Sequence, residues 1–243
     1  MEQINYFSIL QEQKSSKCKN NLYYISQLEF AYNSSKISGI WLTDSDIKMM
    51  YDENSILPTG KMYNLNDIFE VYNHFTLFDY IIDHVNEPLS YTFIKNMYKI
   101  LKKNTQEELQ FPSTFGEFRK QKLEYVNFDI SLPKNIQNDL SNLINSYEVL
   151  DTRNLNDIVD FHYNFERIHP FADANGRIGR MIIFKECLRN NITPFIVLDE
   201  AKIDYYRGLK AYKEDQRILV SYACKLQHIY EDVAKDFSSC CDF

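Results

Sequence analysis

The stretch "ERIHPFADANGRIGRM", Glu166 to Met181, gathers residues whose types and spacing can do chemistry. The chain holds six glycines, and two of them, Gly176 and Gly179, stand three apart here beside Arg177 and Arg180. Glycine at such points gives backbone freedom or lets another group come close. The pattern reads as a helix, a His-Pro break, a short polar loop and a second helix beginning near Asn175. The unpaired N–H groups at that helix start favour an anion, and Gly176 lets a ligand reach the backbone. Arg177 and Arg180, three apart on the helix, are expected to reach the same side. Asp173 is a hard oxygen ligand of the kind Mg²⁺ takes when it also binds phosphates. His169 at the rim can take a proton from a hydroxyl near neutral pH. This is a polyphosphate site in outline. Neither G-x-x-x-x-G-K-[ST] nor G-x-G-x-x-G occurs in the chain. A rival constellation is His162, Glu166 and His169, whose spacings of four and three on one helix could serve a metallohydrolase. His162 lies on an apolar stripe and reads better as a core histidine, and that arrangement would leave the arginines without a task.

The elements that must position these residues read as helical nearly throughout. Leu155, Ile158, Val159, His162, Phe165 and His169 form one face of a helix with Asn154 as its N-cap, delivering His169 just before Pro170. "RMIIFKECLRNNI" continues the second helix to the Asn pair before Pro194. Upstream, Leu22, Ile25, Leu28 and Tyr32 predict one buried helix face, and Ile68, Val71, Tyr72, Phe75, Phe78 and Ile82 another. "LSYTFIKNMYKILKKNT" predicts a helix closed by Lys102 and Lys103, the charge that suits a helix C-terminus. Only between Phe118 and Pro133 does the period become two, with Val126, Phe128, Ile130 and Leu132 alternating with Asn127, Asp129 and Ser131. That predicts a hairpin, either a cap or an edge that pairs with another chain.

Composition narrows the field. A chain of 243 residues, 44% hydrophobic and 25% charged, with no Pro-, Gly- or Ser-rich linker, is expected to fold as one domain over 1–243. Helical extensions are expected at about 1–60 and about 200–243. The net charge of −7 argues against nucleic acid as partner, and no apolar run is long enough to span a bilayer. Five cysteines without a Cys-x-x-Cys pair indicate reduced thiols rather than disulfides or structural zinc. With no signal-peptide core in Met1–Asn20, a cytoplasmic location is expected, export without such a signal being left open.

"HPFADANGRIGR" resembles the signature of the Fic family, His-Pro-Phe-x-Asp/Glu-Gly-Asn-Gly-Arg-x-x-Arg, departing from it only at Ala174, where Gly is usual. The resemblance runs from "FHYNFERIHPF" through "YYRGLKAYKED" and, more weakly, includes "GEFRKQKLEYVNFD" and "NSSKISGIWLT". It implies an all-α fold of about eight helices with a small β-hairpin flap, and transfer of AMP from ATP to a Ser, Thr or Tyr hydroxyl of a protein. By the same resemblance His169 is the base, Asp173 holds Mg²⁺, and Asn175, Gly176, Gly179 and Arg180 bind the nucleotide's phosphates. Arg177 would hold the phosphates during attack, and Phe171 would anchor the loop. Val126, Asn127, Phe128, Asp129 and Ile130 fall where the family has its target-docking flap. Gly176 and Arg180 favour AMP transfer over phosphorylation, for which Doc-like members carry Lys at the first position and lack the second Arg. In many members an N-terminal Ser-x-x-x-Glu-Gly/Asn helix blocks the last Arg. Here Ser34 and Gly39 fit that pattern, but the Glu position is Ser38, so the inhibitory lock is expected to be absent or weak. Other transfers (another nucleotide, phosphocholine, removal of AMP) and a non-catalytic ATP-binding role stay open, as do self-modification and homo-oligomerisation.

Overall fold

The structure is a computed structural model that describes residues 4–16, 19–56, 60, 62–124 and 129–237. Helices dominate, and among the described residues there is no strand. In chain order they are α1 (Tyr6–Ser16), α2 (Leu22–Ile37), α3 (Asp44–Glu53), α4 (Leu65–Asp83), α5 (Tyr91–Leu101) and α6 (Gln106–Gln110). There follow α7 (Ile136–Glu148), α8 (Leu155–Ile168), α9 (Asn175–Arg189), α10 (Lys202–Ala211) and α11 (Arg217–Phe237). Their starts are written in the sequence. Asn21, Thr43, Asn64, Ser90 and Asn154 each cap a following helix through a side-chain oxygen, satisfying N–H groups that the helix itself leaves unpaired.

Helix α9 runs through the centre. It is buried almost without interruption from Arg177 to Leu188, and α8, α4, α5, α2 and α1 pack against it. A helix enclosed on every side cannot show a single apolar stripe, which is why the sequence around it reads as uniformly apolar. The same explains α2. One buried face was expected from Leu22, Leu28 and their neighbours, yet Tyr23, Phe30, Asn33 and Ser34 are buried as well. In α4 the expected stripe holds at Val71, Phe75, Phe78 and Ile82 and fails at Tyr72, which is exposed. One apolar cluster extends from Tyr6 to Ala234, so the first and last helices share the central core. A smaller cluster joins α2, α3 and α4 through Leu28, Ile47 and Phe75.

The hairpin expected after Phe118 is not confirmed among the described residues. Asp129 and Ile130 have no strand partner and Leu132 is exposed, while Val126, Asn127 and Phe128 lie outside the described residues. Two backbone groups that bracket this segment bond to the His-Pro turn. Arg119 N–H donates to the Pro170 carbonyl (2.9 Å) and Ser131 N–H to the Arg167 carbonyl (3.0 Å). No helix of the described chain is long and apolar enough to cross a membrane.

Candidate active site

Helix α8 begins with a capping box, Asn154 and Asp157 bonding each other's backbone N–H, and ends at His169 in the left-handed conformation, φ 50°. That turn aims the imidazole away from the helix axis while its N–H still closes the helix on the Phe165 carbonyl, 2.9 Å. Nδ1 of His169 lies 3.3 Å from the Glu166 carbonyl, which assigns the proton to Nδ1 and leaves Nε2 as the acceptor. Burial lowers the imidazole's affinity for a proton below its ordinary value, a shift the Glu166 carbonyl opposes and the Arg119 charge reinforces. His169 is therefore a neutral base.

The loop that follows is braced from below. Phe171 is fully buried and stacks on Tyr98 with ring centroids 4.2 Å apart, as the anchoring role required. Asn175 faces inward, accepting from Phe171 N–H and donating to the Phe171 carbonyl, both at 2.9 Å. Its side chain thus shapes the loop from inside. Ala174 sits at φ 62°, a conformation that favours glycine, and this is the position at which the sequence departs from the family signature. Past it, the first N–H groups of α9 have no carbonyl within the helix.

The two arginines of the motif have different partners. Arg177 is buried and pairs with Glu70 of α4, and its Nη2 lies 3.1 Å from Asp173 Oδ2. Arg180, also buried, is gripped by the end of α2. Its Nε donates to Ser34 Oγ (3.0 Å), and its Nη2 to the Ser34 carbonyl (2.9 Å) and Ser38 Oγ (3.1 Å). Its Nη1 turns to the start of α9, where a Cβ on Gly176 would stand 3.0 Å from it. Among the described residues no carboxylate lies within 4.0 Å of Arg180. Ser34 and Ser38 thus lie where the resemblance put the inhibitory motif, with Gly39 at φ 89° turning the chain out of the helix.

Gly179, expected to touch phosphate, faces α8 instead. A Cβ there would come within 2.9 Å of Glu166 Oε1 and 3.0 Å of His162 Nδ1, so this glycine permits close helix packing. His162 is the core histidine expected, its Nε2 2.7 Å from the Tyr205 hydroxyl. Glu166, the other member of that rival constellation on α8, is buried, and its Oε1 has no hydrogen-bond partner. No group of three or more His, Cys, Asp or Glu among the described residues could hold a metal alone.

Three residues of the site escaped sequence reasoning. Glu70 engages Arg177 with one carboxylate oxygen and Lys102 with the other. Lys102 Nζ also lies 2.8 Å from Asp173 Oδ2. Although burial alone would raise it, the Arg177 and Lys102 charges hold the Asp173 carboxyl far below the ordinary carboxylate range. Arg119 threads beneath the His-Pro turn, its Nε 2.7 Å from the His169 carbonyl and its Nη2 on the Ser131 carbonyl. Lys102 had been assigned only to the helix dipole. The signal for Glu70 was a carboxylate at i−4 and i−7 of His74 and Leu77 on the buried face of α4.

A half-buried neutral imidazole, a carboxylate at a loop mouth and a buried guanidinium beside an open helix start can deprotonate a hydroxyl next to a bound polyphosphate. Residues 88–186, which hold this loop and both of its helices, match the Fic/DOC family model. This segment is similar to a Fic/DOC-family domain. Over 201 residues it is 20% identical to "Protein adenylyltransferase fic-1" of Caenorhabditis elegans, covering 81% of this chain and 39% of that protein. Over 53 residues it is 36% identical to "Protein adenylyltransferase Fic" of Drosophila mojavensis, covering 22% of this chain and 11% of the relative. The chain therefore spans well under half the length of these curated relatives. The Fic fold extends over most of the chain. A Fic-domain-containing signaling protein from Bacteroides thetaiotaomicron superposes with a TM-score of 0.74 at 20% identity, covering 88% of this chain and 89% of that one. Fic-1 of C. elegans does so with a TM-score of 0.72 at 17% identity, covering 95% and 70%.

Proposed function

We propose that this Fic-domain protein is a protein adenylyltransferase that moves AMP from ATP to a Ser, Thr or Tyr hydroxyl of a protein. The observation that carries the reading is Arg180. A buried guanidinium met only by hydroxyls and a carbonyl is a charge short of its counter-ion. Such a group costs several kcal/mol to bury unpaired, and a terminal phosphate at the start of α9 would supply the missing anion.

In this reading Nε2 of His169 takes the proton of the incoming hydroxyl, whose oxygen attacks the α-phosphorus. The new P–O bond replaces the bond to the β-phosphate, and pyrophosphate leaves. Arg177 and Arg180 draw charge from the phosphates, and the α9 N–H groups beside Gly176 receive their oxygens. Asp173, a single carboxylate with 57% of its side chain exposed, fits magnesium, which would complete its shell with phosphate oxygens and water. Magnesium there would neutralise phosphate charge during transfer. The segment around Asp129 and Ile130, tied by Arg119 and Ser131 to the His-Pro turn, is the proposed docking edge for the target backbone. The N-terminal contact resembling an inhibitory lock supplies Ser38 in place of a carboxylate, so the enzyme is expected to be active without a release step.

The test is to incubate the protein with ATP and magnesium, alone and with a cell lysate, and to weigh intact proteins by mass spectrometry. An added mass of AMP on the chain or on a lysate protein is expected. An increment of phosphate alone, of another group, or none in either sample would refute the reading.

A further inference from the structure

Lys102 closes α5 as its C-cap residue, a place where any exposed lysine would satisfy the helix dipole, as Lys103 next to it does in solvent. Lys102 is instead buried, with 8% of its side chain exposed. Its ammonium bonds Glu70 and Asp173, and Glu107 Oε2 lies 3.9 Å away. Glu107 is otherwise engaged, taking the Tyr98 hydroxyl at 2.6 and 2.7 Å. Burying a lysine this way costs desolvation and side-chain entropy that a dipole contact alone would not offset.

Glu70 explains the placement. By giving one oxygen to Lys102 and the other to Arg177, it sets an ammonium and a guanidinium side by side, both directed at Asp173 Oδ2. Glu70 and Asp173 hold the two cations in this state, with Glu107 3.9 Å from Lys102. If Asp173 turns to a divalent cation, Lys102 and Arg177 share Glu70, with Glu107 more distant from Lys102, and their freed donors face the space where that cation's phosphates must lie.

We propose that Lys102 is a polyphosphate-binding residue of the nucleotide site, set beside Arg177 by Glu70 and released from Asp173 when nucleotide binds. The assignment rests on the nucleotide reading above. It gives the pocket a third cation from outside the loop, and makes Glu70 a positioning residue. A purely structural Lys102, bracing α5 against the loop, would support nucleoside and phosphate binding alike.

Calorimetry separates the two in a His169→Ala background, where transfer does not consume ligand. Lys102→Met keeps the buried stem and removes the charge. ATP with magnesium is expected to bind about tenfold or more weakly in this variant, the worth of one charge-assisted contact, while adenosine affinity stays within about twofold. Lys102→Gln, neutral but able to donate to Glu70, is expected to show the same ATP-selective loss and decides the case if the methionine variant fails to fold. Unchanged ATP affinity, or equal loss for ATP and adenosine, overturns the proposal and leaves the nucleotide reading standing. A His169→Ala parent that binds no ATP refutes that reading, and this proposal with it.

Discussion

Because Nδ1 of His169 is committed to the Glu166 carbonyl, a substrate proton has to go to Nε2. His169→Ala should lower transfer by about 10²–10⁴ while the ATP dissociation constant stays nearly constant, since the arginines and the α9 start remain. Loss of ATP binding to the same extent would remove His169 from the role of base. A base whose proton affinity is lowered stays unprotonated further into acid. The acid limb of the rate profile is therefore expected below the ordinary imidazole value of 6.5. At Arg180 the grip of α2 is neutral, Ser38 Oγ accepting from Nη2 at 3.1 Å while donating to the Ser34 carbonyl at 3.0 Å. Ser38→Glu would put a carboxylate in this place and add a charge-assisted bond of about 1.5–3 kcal/mol that phosphate must displace. The KM for ATP should rise about tenfold or more, and a folded Ser38→Glu protein with unchanged KM would contradict this account. These residues were legible because the loop from His169 to Arg180 is contiguous and Ser38 follows a recognisable spacing. Glu70, Lys102 and Arg119 were not, because they reach the loop from 107, 71 and 50 residues away and no local pattern records such a meeting.

At the scale of elements, the approach of α8 to α9 decides where the signature's groups stand. Gly179 makes that approach possible, since a Cβ would stand 2.9 Å from Glu166 and 3.0 Å from His162, both buried side chains of α8. Gly179→Ala should force the helices apart and destabilise the fold by about 1–3 kcal/mol, lowering the melting temperature by several degrees. Gly176→Ala meets only the end of the Arg180 side chain, at 3.0 Å, and should weaken ATP binding with little change in melting temperature. Scanning calorimetry and ATP titration of both variants check the contrast, and equal melting temperatures would show that Gly179 is not needed for packing. The sequence showed that two glycines lie together but not that they face opposite ways, since their directions depend on which helix lies on which side. The helices themselves were legible from the Asn154 cap and from apolar periodicity, as in α4 and α8. The alternation after Phe118 left its partner open, because period two does not say what an extended stretch bonds to, and Arg119 and Ser131 send their N–H groups to the His-Pro turn.

Across the whole molecule, the site's supports are titratable groups buried in the core, and their linkage to folding sets a pH profile. Burial, reinforced by nearby arginines, lowers His74 and His162 to about 3 from the ordinary 6.5. Each therefore stabilises the fold above pH 6.5, and that contribution is lost as pH falls towards 3, because the unfolded chain then takes up protons that the folded one refuses. Glu166 works in the opposite sense. Burial raises it to about 7 from the ordinary 4.5, against the pull of Arg180, so the folded state holds a proton that the unfolded state releases, and stability falls as pH rises from 4.5 to 7. Between pH 4.5 and 6.5 two histidines oppose one carboxyl, and stability is expected to rise with pH. Glu166→Gln removes the opposing term while keeping the shape of the protonated acid. It should leave stability near pH 5 almost unchanged and add on the order of 3 kcal/mol above pH 7, where the native side chain must carry its charge among His162, Gly179 and Arg180. For a chain of this size that is a rise of several degrees in melting temperature at pH 8 and little at pH 5. Equal effects of Glu166→Gln at the two pH values would mean that Glu166 ionises as an ordinary carboxylate, and that α8 and α9 meet less closely than Gly179 allows.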